Sequence, residues 1–349
     1  MHFPGYYEFF CPVKTVAGHQ ALEKIPRLLG DLNAHHPMII TDKGVVAAGL
    51  VDILMAAITP GVRIGAVVDD KVVDFALALG CGQEPIPDEM VAFLRAGEPA
   101  MEKARQAVER YKQGAVDDAA QPLAAVKLMA PVPHPPKIIM GGRNYVNHVT
   151  ELQQTDASIR IPPFPRIFSK YHTAIVGPGD NVVRPKIDKL VDFEGELTVV
   201  IGKAARNVEE KDAYDYVAGY TIINDVTARG VQAKQELILS KNFETFCPMG
   251  PWIVTKDEIP DPHTLTTTTY INDRKMAENK TADMLFNVPQ YISFLSKAFL
   301  LEPGDVLSTG SPPGPGMYHE PPILPQPGEV MRITISGIGT LENPVVDAK

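Results

Sequence analysis

The chain has 349 residues, with 33 Lys+Arg against 42 Asp+Glu and a formal net charge of -9; it is long enough to bury a sizeable core and offers no basic field for phosphate backbones, which argues against a nucleic-acid partner. No apolar run reaches the roughly 18 to 20 residues that span a bilayer, and the start MHFPGYYEFF lacks a signal-peptide pattern. Three scattered cysteines, Cys11, Cys81 and Cys247, make neither a disulfide framework nor a thiolate zinc site, so the expected compartment is the cytoplasm, with no membrane partner.

In chain order, residues 1–58 read as a βαβα-like segment. An apolar stretch from Glu8 to Val13 precedes a run with Leu22, Ile25 and Leu28 at helical spacing, then the strand-like PMIITD and an apolar helix candidate from Lys43 to Ala57. From about residue 59 to 130 a small α/β domain is expected. RIGAVVDDKVVDFA suits a hairpin around Asp69-Asp70-Lys71, and Met90–Ala96 and Ala100–Gln113 read as helices. The prolines of APVPHPPK make a stiff boundary. Residues 135–349 then carry frequent strand signals, among them KIIMGG, RIFSK, AIVGP, FEGELTVVIG, AGYTIINDVTA, PWIVT, TLTTTTYIN, DVLSTG and VMRITISGIG. The clearest helices are Ala213–Tyr216 and Val288–Phe299, and 32 prolines and 27 glycines favour short strands and ordered loops over a helical bundle. The fold class is α+β, dominated by β structure.

Within VDFEGELTVVIG, alternation across a pleat puts Asp192, Glu194 and Glu196 on one face. Thr198 and Val200 continue that row, so it heads inward. Buried carboxylates at this spacing repel one another unless a cation neutralises them, and a hard divalent ion does so. An E-x-E row on an arbitrary strand is more often a solvated face. Asp225 ends the apolar strand of GYTIIND, where a carboxylate also commonly caps the following turn. Two glutamates and one aspartate leave about three of six positions open to water and substrate, as catalytic Mg²⁺ or Mn²⁺ requires.

The segments GGRNYVNHVTELQ, SKYHTAIVGPGDNVVRP, DFEGELTVVIGKAARNV, INDVTARGVQ, TFCPMGPWIVTKDEIPDP, LEPGDVLSTGSPPGPG and SGIGTLENPVV occur in one order. Together they closely resemble the fumarylacetoacetate hydrolase family. The resemblance implies a mixed β-sandwich roll for residues 135–349, a homodimer, and metal ligands at Glu194, Glu196 and Asp225. It implies a lid motif at Asn144, Tyr145, His148 and Glu151, with the histidine and glutamate as a catalytic dyad. Three residues apart on a helical turn, the carboxylate orients the imidazole and raises its basicity. An isolated H-x-x-E is more often a solvated helix pair. By the same resemblance Lys241 is the active-site lysine, and Gln232, Thr309 and Gly310 contact substrate; Ser311 replaces a threonine and keeps the hydroxyl. Arg143 stands where it either meets a substrate carboxylate or makes a structural salt bridge.

The expected activity is hydrolysis of a carbon–carbon bond in a small 2,4-diketo acid of acylpyruvate or fumarylpyruvate type, with a Mg²⁺- or Mn²⁺-held enolate as leaving group; Ca²⁺ is a plausible stand-in. Oxaloacetate decarboxylation or keto–enol isomerisation needs the same electron sink and stands as the alternative. A silent binding or scaffolding protein is the rival from another class. Residues 1–58 resemble the extreme N-terminus of iron-containing alcohol dehydrogenases, but no glycine-rich phosphate loop follows, so a non-catalytic appendage without NAD is expected.

Overall fold

The computed structural model describes residues 62–80 and 86–349. Residues 1–58, expected from the sequence to resemble the start of iron-containing alcohol dehydrogenases, lie outside the described residues, as do Cys11 and Cys81.

The hairpin forms as expected, with β1 (Gly65–Val68) and β2 (Lys71–Asp74) antiparallel around Asp69 at φ 54°. Helices α1 (Phe75–Leu79), α2 (Met90–Ala96) and α3 (Glu98–Lys112) follow. Pro99 in the first turn, Glu98 at its start and Arg110 and Lys112 at its end suit the N- and C-terminal chemistry of α3. Its buried stripe, Ala100, Ala104 and Ala107, is small enough for close packing. Strand β3 (Ala120–Pro122) completes a three-stranded sheet in the order β1-β2-β3.

The next elements are β4 (Ile138–Gly142), α4 (Val146–Thr155), β5 (Arg166–Ser169), β6 (Ile175–Val176), β7 (Val182–Arg184), β8 (Val191–Asp192), β9 (Gly195–Ile201) and β10 (Val217–Asn224). They are followed by β11 (Thr227–Ala228), α5 (Arg229–Gln232), α6 (Leu237–Lys241), β12 (Cys247–Thr255), β13 (Thr266–Ile271) and β14 (Arg274–Lys280). The last are α7 (Val288–Ala298), β15 (Val306–Ser308), β16 (Val330–Ile335) and β17 (Gly339–Asp347). Ala213–Tyr216, expected as a helix, lies in a 3-10 turn over Glu210–Tyr216.

Seven strands make a mixed sheet in the order β5-β4-β15-β9-β10-β12-β6, and five make a second, β14-β13-β16-β17-β7. Strand β9 is buried at every residue. Its continuous Leu-Thr-Val-Val-Ile run suits a central strand covered on both faces. On one face Leu197, Val199, Tyr220 and Ile222 pack with Ile333 and Leu341 of the second sheet and with Tyr291, Ile292 and Leu295 of α7. On the other, Val200, Ile223 and Val306 join Phe75, Phe93 and Ala104 of the N-terminal helices. The polar ends of β9 and β10 emerge between these cores.

Candidate metal centre and lid dyad

Strand register gathers the carboxylates. Across the antiparallel β9–β10 pair Glu196 faces Ile223 and Gly195 faces Asn224. One step further, the Asp225 amide donates to the Glu194 carbonyl at 2.8 Å. Glu194, Glu196 and Asp225 are thereby brought together at 7, 1 and 1% exposure, with one oxygen from each within 4.8 Å of the others. Asp192, expected on the same acidic face, does not join them. Strand β8 ends at Asp192 and β9 begins at Gly195, so the pleat is interrupted and the side chain turns to a different set of partners.

Three buried cations surround the cluster. Lys241, the last residue of α6, donates to Glu194 Oε2 at 2.8 Å and Asp225 Oδ2 at 2.5 Å. Arg229, the first of α5, holds Asp192 Oδ2 through Nε and Nη2 at 2.9 and 2.6 Å and Glu194 Oε1 through Nη2 at 2.7 Å. Lys170 lies 2.9 Å from Asp225 Oδ1, but its Nζ donates to the carbonyls of Val226, Lys241 and Phe246 at 3.1, 2.5 and 2.6 Å. Its three protons are thus spent, and Asp225 Oδ1 is left buried without a hydrogen bond.

Burial opposes ionisation of Glu194, yet Lys241 and Arg229 outweigh it and hold its carboxyl well below the usual range. For Glu196, burial and then the charges of Asp225 and Glu194 push the carboxyl well up, against the Ser308 hydroxyl that donates to Oε2. With Asp192 counted beside the trio, four carboxyl groups face three cations, and Glu196 is the one that none of the cations pairs. An orphaned Asp225 oxygen and a Glu196 side chain with no cation partner among the described residues are the groups a hard divalent ion satisfies. The trio fits such an ion.

The dyad forms on α4. His148 Nδ1 lies 2.8 Å from Glu151 Oε2, and Glu151 Oε1 accepts the Gly314 amide at 3.1 Å. The imidazole is 7% exposed and meets the Tyr318 ring edge-on at 5.8 Å. The same Tyr318 ring lies 5.4 Å from the Arg229 guanidinium that holds Glu194, so a chain of contacts links the dyad to the trio.

The remaining expected residues divide by contact. Asn144 spends both amide protons on the carbonyls of Phe286 and Thr309 and accepts from the Phe286 amide, pinning the start of α4. Tyr145 is fully buried beneath it. Thr309 donates from both its amide and hydroxyl to the Leu197 carbonyl. Gly310 lies against Gly141, where a Cβ on Gly141 would meet Thr309 backbone carbon at 2.8 Å and Gly310 nitrogen at 2.9 Å. Ser311 donates to the Pro312 carbonyl. Gln232 receives Arg229 Nη1 at 2.9 Å. Arg143, at φ 56°, lines a cavity of about 550 Å³ together with Arg160 and Arg166. Burial and then the like charge of Arg166 lower its pKa.

Sequence reasoning passed over Arg229, Lys170, Ser308 and Tyr318. A signal existed for Arg229, which stands three residues before Gln232 in TARGVQ, so a helical turn brings the two together.

A buried carboxylate trio that could hold a divalent ion, with a His–Glu pair on a neighbouring helix, is the kind of arrangement a metal-dependent enzyme uses. The family model described as fumarylacetoacetate (FAA) hydrolase C-terminal matches residues 137–346, and the chain belongs to the fumarylacetoacetate hydrolase family. Over 293 residues, 82% of this chain and 87% of the relative, it is 38% identical to a mitochondrial oxaloacetate tautomerase of Xenopus laevis. An oxaloacetate tautomerase of Bacillus subtilis is 37% identical over 290 residues, covering 81% of this chain and 95% of that one. Maleylpyruvate hydrolase from Sphingobium sp. SYK-6, solved in complex with manganese(II) ion and pyruvate, aligns with a TM-score of 0.66 and 33% identity over 82% of this chain and 97% of that one. No helix among the described residues is long and apolar enough to cross a membrane.

Proposed function

We propose that the chain catalyses keto–enol tautomerisation of a small 2-oxo acid of oxaloacetate type, using a divalent cation held by Glu194, Glu196 and Asp225. The observation that carries this reading is the shielded imidazole: His148 is 7% exposed, its Nδ1 is engaged by Glu151, and Tyr318 covers its ring. Such a base is placed to move a proton between substrate atoms more readily than to recruit bulk water. The two relatives named oxaloacetate tautomerase support the same choice.

When bound, Mg²⁺ or Mn²⁺ supplies a Lewis acid that polarises the 2-oxo group and acidifies the neighbouring C3–H. Glu151 fixes the imidazole with its proton on Nδ1, leaving Nε2 free to take one proton from C3. The same imidazolium returns that proton to the 2-oxo oxygen, so the enol forms without net proton uptake. Lys241 and Arg229 present positive charge beside the oxygen as electron density collects there. Gln232, oriented by Arg229, and Arg143 are assigned to the substrate's polar groups. Asn144, Tyr145, Thr309 and Gly310 set the shape of the wall behind it.

A second reading, carbon–carbon hydrolysis of a 2,4-diketo acid, draws support from the maleylpyruvate hydrolase neighbour. An ultraviolet assay of oxaloacetate equilibration with added Mg²⁺ or Mn²⁺, run beside pyruvate release from acetylpyruvate, separates the two. Rapid equilibration with no pyruvate supports the tautomerase. Equilibration at the spontaneous rate with pyruvate accumulating replaces it with the hydrolase, and turnover of neither substrate favours a binding role.

The proposal includes a homodimer, supported by Leu237, Ile238 and Leu239 exposed in a row on α6 and checked by sedimentation. The free, buried Cys247 suits a reducing compartment such as the cytoplasm. Segment 1–58 is proposed as a non-catalytic appendage, a reading that micromolar NADH binding would overturn.

A further inference from the structure

Asp192 is 0% exposed and belongs neither to the metal trio nor to the dyad. Its Oδ1 accepts the amides of Phe193 and Gly316 at 2.9 and 2.8 Å. Its Oδ2 accepts Arg229 Nε and Nη2, and the Met317 amide at 3.1 Å. Five donors meet about four lone-pair positions, so this carboxylate has no capacity left for a cation or a substrate. A buried anion so fully engaged acts by fixing its neighbours.

Those neighbours lie on opposite sides of the chemistry. Arg229 reaches Glu194 of the metal trio and Gln232. The segment Gly314–Tyr318 reaches the dyad, because the Gly314 amide donates to Glu151 and the Tyr318 ring meets His148. Tyr318 also sits over the Arg229 guanidinium at 5.4 Å. Gly316 is held where only glycine fits, since a Cβ there would stand 1.9 Å from the Ile323 carbonyl oxygen and 3.0 Å from Asp192 Oδ1.

We propose that Asp192 is a positioning residue that joins the metal centre to the lid dyad, holding Arg229 with one oxygen and the Gly314–Tyr318 segment with both. Only a carboxylate serves, because an asparagine would turn an NH₂ group toward donors whichever way its amide is set. The inference rests on the reading of His148–Glu151 as the proton-transferring pair, and its test has a readout independent of turnover.

In metal-loaded protein, Asp192→Asn is expected to lower kcat by about 10- to 100-fold, in line with loss of a group that orients the ligands of a metal site. KM should stay near wild type, while Mn²⁺ affinity by calorimetry should fall by about 10-fold as Arg229 loosens from Glu194. At the same time, modification of His148 by diethyl pyrocarbonate, followed by peptide mass spectrometry, should accelerate as the Tyr318 cover loosens. Tyr318→Ala should accelerate it equally with Mn²⁺ affinity unchanged, whereas Tyr318→Phe, which keeps the ring, should not. If Asp192→Asn loses Mn²⁺ affinity in step with kcat while His148 stays protected, Asp192 serves the metal side alone and the joint does not exist. Should Asp192→Asn fail to fold, unchanged His148 reactivity in Tyr318→Ala overturns the proposal by itself. Absence of tautomerase activity in the wild type would leave the protection result standing and count only against the proposed reaction.

Discussion

Lys241 Nζ bridges the carboxylates of Glu194 and Asp225 at 2.8 and 2.5 Å, while the backbones of those two acids are joined by a 2.8 Å hydrogen bond. Removing the ammonium leaves Glu194 to Arg229 and Asp225 to Lys170, one cation fewer for two buried anions. Lys241→Met is therefore expected to destabilise metal-free protein by about 3–5 kcal/mol, the usual cost of breaking a buried ion pair from one side. Added Mn²⁺ should recover part of that loss, because it replaces positive charge at the same oxygens. Urea midpoints with and without Mn²⁺ give both numbers, and a variant as stable as wild type without metal contradicts the charge assignment.

Glu196 differs from Glu194 in having no cation partner among the described residues, and burial with two neighbouring carboxylates raises its pKa. Glu196→Gln keeps the shape and removes a like charge. Metal-free protein should melt at the same temperature or higher, while Mn²⁺ affinity should fall by at least about 100-fold, since loss of a mere orienting group already costs 10- to 100-fold. Calorimetric titration paired with melting curves checks the split; unchanged affinity removes Glu196 from the ligand set.

Gly141 and Gly310 bring two backbones into contact just ahead of α4. A methyl group at Gly141 must push the Thr309–Gly310 peptide away, at a cost of about 1–3 kcal/mol for overpacking. Gly141→Ala should thus lower the denaturation midpoint and reduce kcat. Activity equal to wild type would mean that the displaced loop plays no part in turnover.

At the C-terminus, Arg184 and then Lys189 hydrogen-bond Asp347 and lower its pKa from the ordinary 3.8 to about 2. A carboxyl depressed in the folded state stabilises it above the unfolded pKa, and that contribution drains away as pH falls through the folded value. Asp347→Asn should therefore melt below wild type near neutral pH, with the difference shrinking from about pH 4 to pH 2. A melting difference that stays constant over that window would rule out the ion pair as its cause.

Much of this architecture was legible from the chain itself, for reasons that vary by element. The hairpin at Asp69-Asp70, the strands β4, β9, β10 and β16, and α7 carry strong periodicity or turn chemistry. Strand β14 escapes notice because Arg-Lys-Met-Ala-Glu-Asn-Lys buries only Met276, and β17 is disguised by Pro344 and its polar alternation. Helices α5 and α6 are too short to show a period. At the site, Glu194, Glu196 and Asp225 stand out because acids at the ends of apolar strands are costly. Asp192 was grouped with them on the assumption of one unbroken strand. Its true partner Arg229 is 37 residues away, a pairing that local pattern does not reveal. The arginines of the cavity come from two segments, Arg143 from one and Arg160 and Arg166 from the proline-rich stretch that follows α4, spaced too widely to read as a basic cluster in the sequence.

Lys170, Lys241 and Arg229 compensate all but one of the buried carboxyl groups, so the polypeptide is expected to keep its shape without a bound ion. On the proposed reading, ion loss would idle the enzyme without unfolding it. A cell passing through metal scarcity would retain a dormant stock whose return to work is limited by ion entry, not by synthesis. Chelator-treated protein given Mn²⁺ should accordingly regain its full rate at the speed of binding, with no lag for refolding.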